Sequence, residues 1–174
     1  ELVRISEPTK ETVQRSKTVA DSGIDVAAEQ AGGTPTDDGI GSMATIAAIR
    51  YAVFVVEQVV DVAIEWDDKD TIAEHVLLID CGRPIGTARV RPVDDNALKC
   101  ERVAVRPSDR GAGWGERLMD ICESIAHEGG ATECILHAQK RVADFYRRQG
   151  YVFVGDPFEE ARIPHVKMRL ELSN

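Results

Sequence analysis

One passage in the second half of the chain constrains the fold more than any other. Residues 98–105 read as a strand. Val105-Arg106-Pro107-Ser108-Asp109 follows, and then Arg110-Gly111-Ala112-Gly113-Trp114-Gly115. Immediately after, Trp114, Leu118, Cys122 and Ile125 recur at helical spacing, and Gly129-Gly130 ends the stripe. Strand, glycine turn and helix therefore stand in direct succession. Glycines let a backbone approach a ligand with no Cβ in the way. The unpaired N–H groups of a helix start, with the helix dipole behind them, favour an anion such as a diphosphate. Arg110 adds a full charge and forked donors. Taken alone, the turn is open between a tight connection and an anion cradle. No Gly-Lys-Ser/Thr follows it, so it is not a Walker A loop. Glycines at 111, 113 and 115 also miss the dinucleotide spacing.

The surrounding pattern restricts the topology. Residues 75–80, 85–93 and 98–105 read as three strands joined by turns at Cys81-Gly82 and Asp94-Asp95-Asn96, an antiparallel meander. Upstream, Leu2–Ile5 alternates as a strand would, residues 8–20 read as a helix, and 21–41 read as a flexible loop rich in Gly, Asp and Thr. Ser42 is suited to cap a helix over 43–56, with Met43, Ile46, Ala47, Arg50, Val53 and Phe54 on one stripe. Residues 59–70 read as a loop with an acidic end. Downstream come a strand at 133–138, a helix at 141–149, a buried strand at 151–155 and a last strand at 166–172. The expected order is β-α-α-β-β-β-α-β-α-β-β, an α/β (α+β) fold in one domain over residues 1–174.

A formal charge of −9 argues against a nucleic-acid partner, whose phosphates attract basic surface. The longest apolar stretch, residues 51–60, is interrupted by Glu57 and Gln58 and is too short to span a bilayer. No basic region followed by an apolar run opens the chain, so no secretory signal is read. Cys81, Cys100, Cys122 and Cys134 show no C-x-x-C and no zinc-type pairing with His, which suits reduced thiols in a cytoplasmic protein without a metal.

At the glycine turn the sequence resembles the GNAT acetyltransferases. Their acetyl-CoA motif is Arg or Gln, two residues, Gly, one residue, then Gly or Ala. Arg110, Gly113 and Gly115 match it, after a strand ending in Val103 and Val105. A second family element, Ala-x-Phe-Tyr-x-x-x-Gly-Tyr/Phe, stands at Ala143, Phe145, Tyr146, Gly150 and Tyr151. Within the superfamily the chain is similar to the ElaA and YjcF-like branch, through Arg50, Val53-Phe54-Val55-Val56-Glu57-Gln58, the segment from Asp70 to His75, and Ile163-Pro164-His165 with Met168.

The resemblance implies a mixed, mostly antiparallel sheet flanked by helices, splayed between the third meander strand and the strand at 133–138. Pantetheine would pair with backbone at Val103 and Val105, and its pyrophosphate would sit on Arg110, Gly111, Ala112, Gly113, Trp114 and Gly115. Acetyl-CoA is then the cosubstrate, without a metal, and a small-molecule or protein amine attacks its thioester in a ternary complex. Neither nucleic acid nor membrane is an expected partner, and a homodimer through the last two strands is open. A non-catalytic acyl-CoA sensor or interaction domain is the competing function. Tyr146 matches the family's acid for the leaving thiolate, or is a packing tyrosine. Glu101 matches an acidic residue that serves some members as base, or pairs with Arg89, Arg91 or Arg102. His75 and His165 are alternative bases. Glu57 and Gln58 either face the acceptor or cap their helix. Trp66 either lines an acceptor pocket or belongs to a solvated acidic loop.

Overall fold

The computed structural model describes Leu2–Ile5, Val26–Ala28 and residues 38–172, with side chains from residue 43 onward. The helix expected over 8–20 lies outside the described residues. The meander forms as expected: β3 (Glu74–Asp80), β4 (Arg83–Pro92) and β5 (Ala97–Val105) run antiparallel in sequence. Cys81 and Gly82 both take left-handed φ, 49° and 75°, the geometry of a two-residue turn whose twist matches its strands. On the outer side, β1 (Leu2–Ile5) pairs antiparallel with β3, and β2 (Val26–Ala28) lies parallel to β1. On the inner side, β6 (Glu133–Gln139) runs parallel to β5, and β9 (Ile163–Glu171) is antiparallel to β6. Two short strands, β7 (Val152–Phe153) and β8 (Phe158–Glu160), complete a nine-stranded sheet by pairing with β9.

Helices cover both faces. α1 (Asp38–Arg50) runs on in wider, π-type turns through Tyr51–Glu57. Its Ile46, Ile49 and Val53 are buried with Leu77 and Ala104 of the sheet. A single turn, α2 (Val62–Glu65), follows. On the other face α3 (Trp114–Glu128) buries Leu118, Met119, Cys122, Ile125 and Ala126 against Val76, Val90, Leu136 and Met168. Each large side chain so buried stabilises the fold by roughly 1.5–3 kcal/mol. The short α4 (Ala143–Arg148) packs Phe145 and Tyr146 against the same core.

Four local readings change. Val26–Ala28, inside the segment read as loop, is a strand. The following helix opens at Asp38 rather than after Ser42, since Asp and Gly both suit a helix start. β8 was not foreseen; it exists because Ala161 and Arg162, both at positive φ, reverse the chain into β9. The strand at 151–155 shrinks to Val152–Phe153 and is not buried. Only Tyr151 enters the core, whereas Val152 and Phe153 are 54% and 52% exposed at the sheet edge.

The sheet is not continuous. β5 and β6 pair only at Ala97↔Glu133, Leu98↔Cys134 and Lys99↔Ile135, and then separate. Where they part, β5 carries a bulge. Thr87 pairs with Ala104 and Arg89 with Glu101, so Arg102 and Val103 together face Ala88. Arg102 takes φ 53°, which is costly for a non-glycine residue. Its guanidinium holds the bulge by ion-pairing with Glu65 at 2.9 Å and donating to the carbonyls of Ile64 and Glu65.

Candidate active site

The parted strands enclose a cleft of about 540 Å³. Cys100 to Val105 form one wall, Leu136, His137 and Gln139 the other. Phe54, Glu57 and Gln58 of the π-type turns stand at one rim, and Phe145 and Tyr146 of α4 at another. At its outer end the cleft meets a smaller pocket of about 310 Å³ on the glycine turn. Val105, Arg110, Gly115 and Phe145 line both.

Local chemistry explains the turn. Gly111 and Gly113 sit at φ 82° and 81°, and Gly113 caps α3 by accepting from Arg117 N–H at 3.0 Å. The backbone at Trp114, Gly115 and Glu116 opens the helix, where N–H groups lack helical partners. All three residues line the smaller pocket with Gly111 and Gly113. A side chain at Gly115 would place its Cβ 3.1 Å from the Phe145 ring, so the space belongs to the backbone. Arg110 is already engaged: it donates to both Glu57 oxygens at 2.8 and 2.7 Å and through Nε to the Val105 carbonyl at 3.0 Å. This bidentate bond holds Glu57 below the usual carboxylate range. Glu57 thus ties the first helical layer to the turn. Gln58 accepts from Gln139 Nε2 at 2.7 Å, spanning from the π-type turns to the end of β6.

Tyr146 reaches the cleft from the α3 side, held edge-on against Phe145 and Tyr151 at 4.9 and 6.0 Å. Among the described residues its hydroxyl has no hydrogen-bond partner. Burial, and the neighbouring Cys100 and Cys122 thiols, raise its pKa above the ordinary phenol value, so it carries its proton at any physiological pH.

Glu101 also lines the cleft, but its carboxylate is taken by three cations. Arg89 donates at 2.6 Å, Arg91 at 3.0 Å, and the Lys99 ammonium stands at 2.9 Å. Burial alone would raise its pKa. The hydrogen bonds from Arg91 and Lys99, with the charges of Lys99 and Arg89, outweigh that and hold it well below the carboxylate range. Such a group keeps its charge and has little affinity for a proton. Arg102, the third partner expected, instead pairs with Glu65 and Asp67.

The ion pairing extends away from the cleft. Arg89 also bonds Asp67 at 2.6 Å and Asp70 at 2.7 Å, and buried Arg50 bonds Glu65 at 2.5 Å and Asp70 at 2.8 Å. Trp66 lies on the Arg50 guanidinium, 4.4 Å from ring centre to Cζ. Within the acidic segment Glu65, Asp67 and Asp70 neutralise buried arginines, Trp66 covers one of them, and Glu65 also borders the cleft. His75 belongs to the same network, its Nε2 3.0 Å from the Asp70 carbonyl, and burial lowers its pKa. It lies away from the cleft, whereas His165 lines it and donates from Nδ1 to the Ile163 carbonyl at 2.7 Å.

Two cleft residues were not anticipated. His137 Nδ1 lies 2.9 Å from Glu160 Oε2 and 3.1 Å from Lys99 Nζ, and Phe158 meets its ring edge-on at 4.8 Å. The alternation of β6 signalled His137, because Cys134, Leu136 and Ala138 turn to the α3 core. Glu160 was hidden because its strand, β8, was hidden.

A sheet parted beside a glycine turn at a helix start, with Tyr146 between, is what the resemblance implied, and the comparison with known families decides it. Residues 33–172 match the acetyltransferase (GNAT) domain family. The chain belongs to the GNAT acetyltransferases. This GNAT chain is 38% identical over 121 residues to the N-acetyltransferase YjcF of Bacillus subtilis, covering 69% of this chain and 86% of YjcF. It is 30% identical over 137 residues to ElaA of Escherichia coli, covering 76% and 90%. Those relatives place it in the ElaA/YjcF-like branch of GNAT acyltransferases. The crystal structure of ElaA superposes with a TM-score of 0.67 at 27% identity, covering 79% of this chain and 93% of ElaA. An acyl-CoA N-acyltransferase from Pseudomonas aeruginosa superposes at 0.69 and 27% identity, covering 76% and 92%. Among the described residues of this GNAT chain, no group of three or more His, Cys, Asp or Glu side chains could hold a metal ion, and no helix is long and apolar enough to cross a membrane.

Proposed function

We propose that this GNAT chain transfers an acetyl group from acetyl-CoA to a primary amine, by direct attack of the amine on the thioester in a ternary complex. One observation carries the reading. The cleft between β5 and β6 runs into the glycine turn at the start of α3, and an unpartnered tyrosine hydroxyl lines it midway. In this reading the pyrophosphate rests on Arg110, Gly111, Ala112, Gly113, Trp114 and Gly115, and pantetheine follows the unpaired edge of β5 past Val105 and Val103. Arg110 shares its charge between Glu57 and the diphosphate. Tyr146 gives its proton to the departing thiolate. In this reading Glu101 is not the base that the resemblance suggested, since three cations hold its carboxylate; it orders Lys99, Arg89 and Arg91 beneath the cleft. The family's acyltransferase activity and the acyl-CoA named for the Pseudomonas relative support the donor. The acceptor is an amine of a small molecule or a protein, and the reaction belongs in the cytoplasm, where acetyl-CoA is at hand.

The test is the thermal midpoint of the purified chain with acetyl-CoA, beside NAD and ATP, followed by thiol release on adding amines. A ligand at 100 times its Kd stabilises by about 2.7 kcal/mol, a shift of a few degrees. A shift with acetyl-CoA alone, and thiol release with an amine, are the expected results. A shift with no thiol release from any amine would leave the non-catalytic acyl-CoA-binding domain as the reading. No shift at saturating acetyl-CoA would overturn both.

A further inference from the structure

An amine of ordinary basicity enters as an ammonium and must lose a proton before it can attack, its pKa lying near ~10.4 for a lysine-like group. Glu101 is bound to three cations and His75 is outside the cleft, so neither takes that proton. The wall opposite Tyr146 offers another group. His137 stands on β6 two residues beyond Ile135, whose pairing with Lys99 is the last before the strands part. It is therefore at the apex of the opening, level with Glu101 across the gap. Tyr146 packs with the α3 core, and His137 alternates to the other face of β6. Two proton-handling groups thus line one cleft from opposite faces of the sheet.

We propose that His137 is the general base of the transfer and that Glu160 is its positioning residue. The proposal rests on the acetyltransferase reading above. Nδ1 serves one partner. With its proton donated to Glu160 at 2.9 Å, the Lys99 ammonium satisfies itself on Glu101 at 2.9 Å. Nε2, which no described residue engages, is then the lone-pair nitrogen on the cleft wall. A carboxylate behind an imidazole fixes this tautomer and stabilises the imidazolium that forms. Other charged groups also surround His137: Lys99 and Glu101 from β5, His165 behind Phe158, and Lys167 as its direct partner on β9. His165 is less suited. Its Nδ1 donates to a carbonyl, which sets a tautomer but brings no counter-charge, and it sits at Gln139, farther from the apex.

The protons balance as follows. His137 Nε2 takes one proton from the ammonium and passes it to solvent. The free amine forms a C–N bond to the thioester carbon, and the C–S bond breaks. The second proton shed by nitrogen returns through solvent to Tyr146, restoring the one that Tyr146 delivers to sulfur, and an amide and a free thiol are left.

The experiment uses the full chain, with methylamine as the probe amine and acetyl-CoA as donor. Thiol release is followed against pH for the parent, His137→Gln, Glu160→Gln and His165→Gln, with histidine 15N spectra of the parent and Glu160→Gln. We expect His137→Gln to keep the acetyl-CoA thermal shift and lose about 10²-fold in rate near neutrality. The loss should shrink as rising pH deprotonates the amine unaided. Glu160→Gln should move the acidic limb, and His165→Gln should leave it in place. The spectra should show His137 protonated on Nδ1 in its neutral form, and less so in Glu160→Gln. An unchanged profile in His137→Gln, loss of the limb in His165→Gln instead, or an Nε2–H tautomer would each overturn the assignment. The tautomer decides it even if methylamine is not turned over. Absence of any acetyl-CoA shift in the parent would sink the functional reading instead.

Discussion

Tyr146 carries the sharpest expectation for a single residue. Its ring is fixed by Phe145 and Tyr151, and only its hydroxyl is unsupported. Replacing Tyr146 with Phe should leave the fold and the affinity for acetyl-CoA nearly unchanged while kcat falls about 10²-fold. Steady-state kinetics will show this, and an unaltered kcat would make the residue a packing tyrosine. Residues on the two family motifs, Arg110, Gly113, Gly115 and Tyr146, were legible because local spacing places them. Roles that depend on pairing across strands were not. Glu101 pairs with Arg89 and Arg91, two of its three candidate partners, and with Lys99 along its own strand; the third candidate, Arg102, is turned toward Glu65 by its φ of 53°. Trp66 was open between a pocket residue and a solvated acidic loop, because nothing local announces that Arg50, 16 positions earlier, would be buried beneath it.

The helix start is the element on which donor binding depends. Gly113 combines a left-handed φ with the capping position of α3. Gly113→Ala should cost about 1–2 kcal/mol for forcing an L-residue into that region, read as a lower urea midpoint. It should also weaken acetyl-CoA binding by tilting the N–H groups that follow. A variant with full stability and affinity would show that the turn does not need this conformation. The meander and α3 were legible because strand and helix patterns are strong over seven to fifteen residues. β8 was not, being three residues long and defined by pairing with β9 and not by its own pattern, and the strand read at 151–155 kept only the two residues of β7 that pair with β9.

For the molecule as a whole, the buried ion network links stability to pH. Asp67, Asp70 and Glu101 are all held below their ordinary values, against the opposing effect of burial. A carboxylate whose folded value is depressed gives stability that is complete above its unfolded value and lost as pH falls toward the folded one. Unfolding free energy should therefore decline once pH drops below about 4–5, near the unfolded carboxylate values. Glu65 acts in the other direction, since burial pushes its pKa up despite Arg102 and Arg50. Glu101→Gln should lower stability at pH 7 by about 3 kcal/mol, by leaving buried Arg89 short of a partner, and should flatten the acid decline. Denaturant titrations from pH 7 to 3 provide the check; an unchanged slope would mean that Glu101 is not part of the linkage.

The brevity of the β5–β6 ladder has a mechanical side. Among the described residues, three residue pairs form the sheet seam between the meander half and the β6–β9 half. Across the rest of that line, no described strand pairs with the facing edges of β5 and β6. An extended molecule laid in the gap would act as a removable strand and stiffen the two halves into a single body. Amide exchange should then slow on both lips at once, at Val103–Val105 and at Leu136–Ala138, although no single contact reaches both.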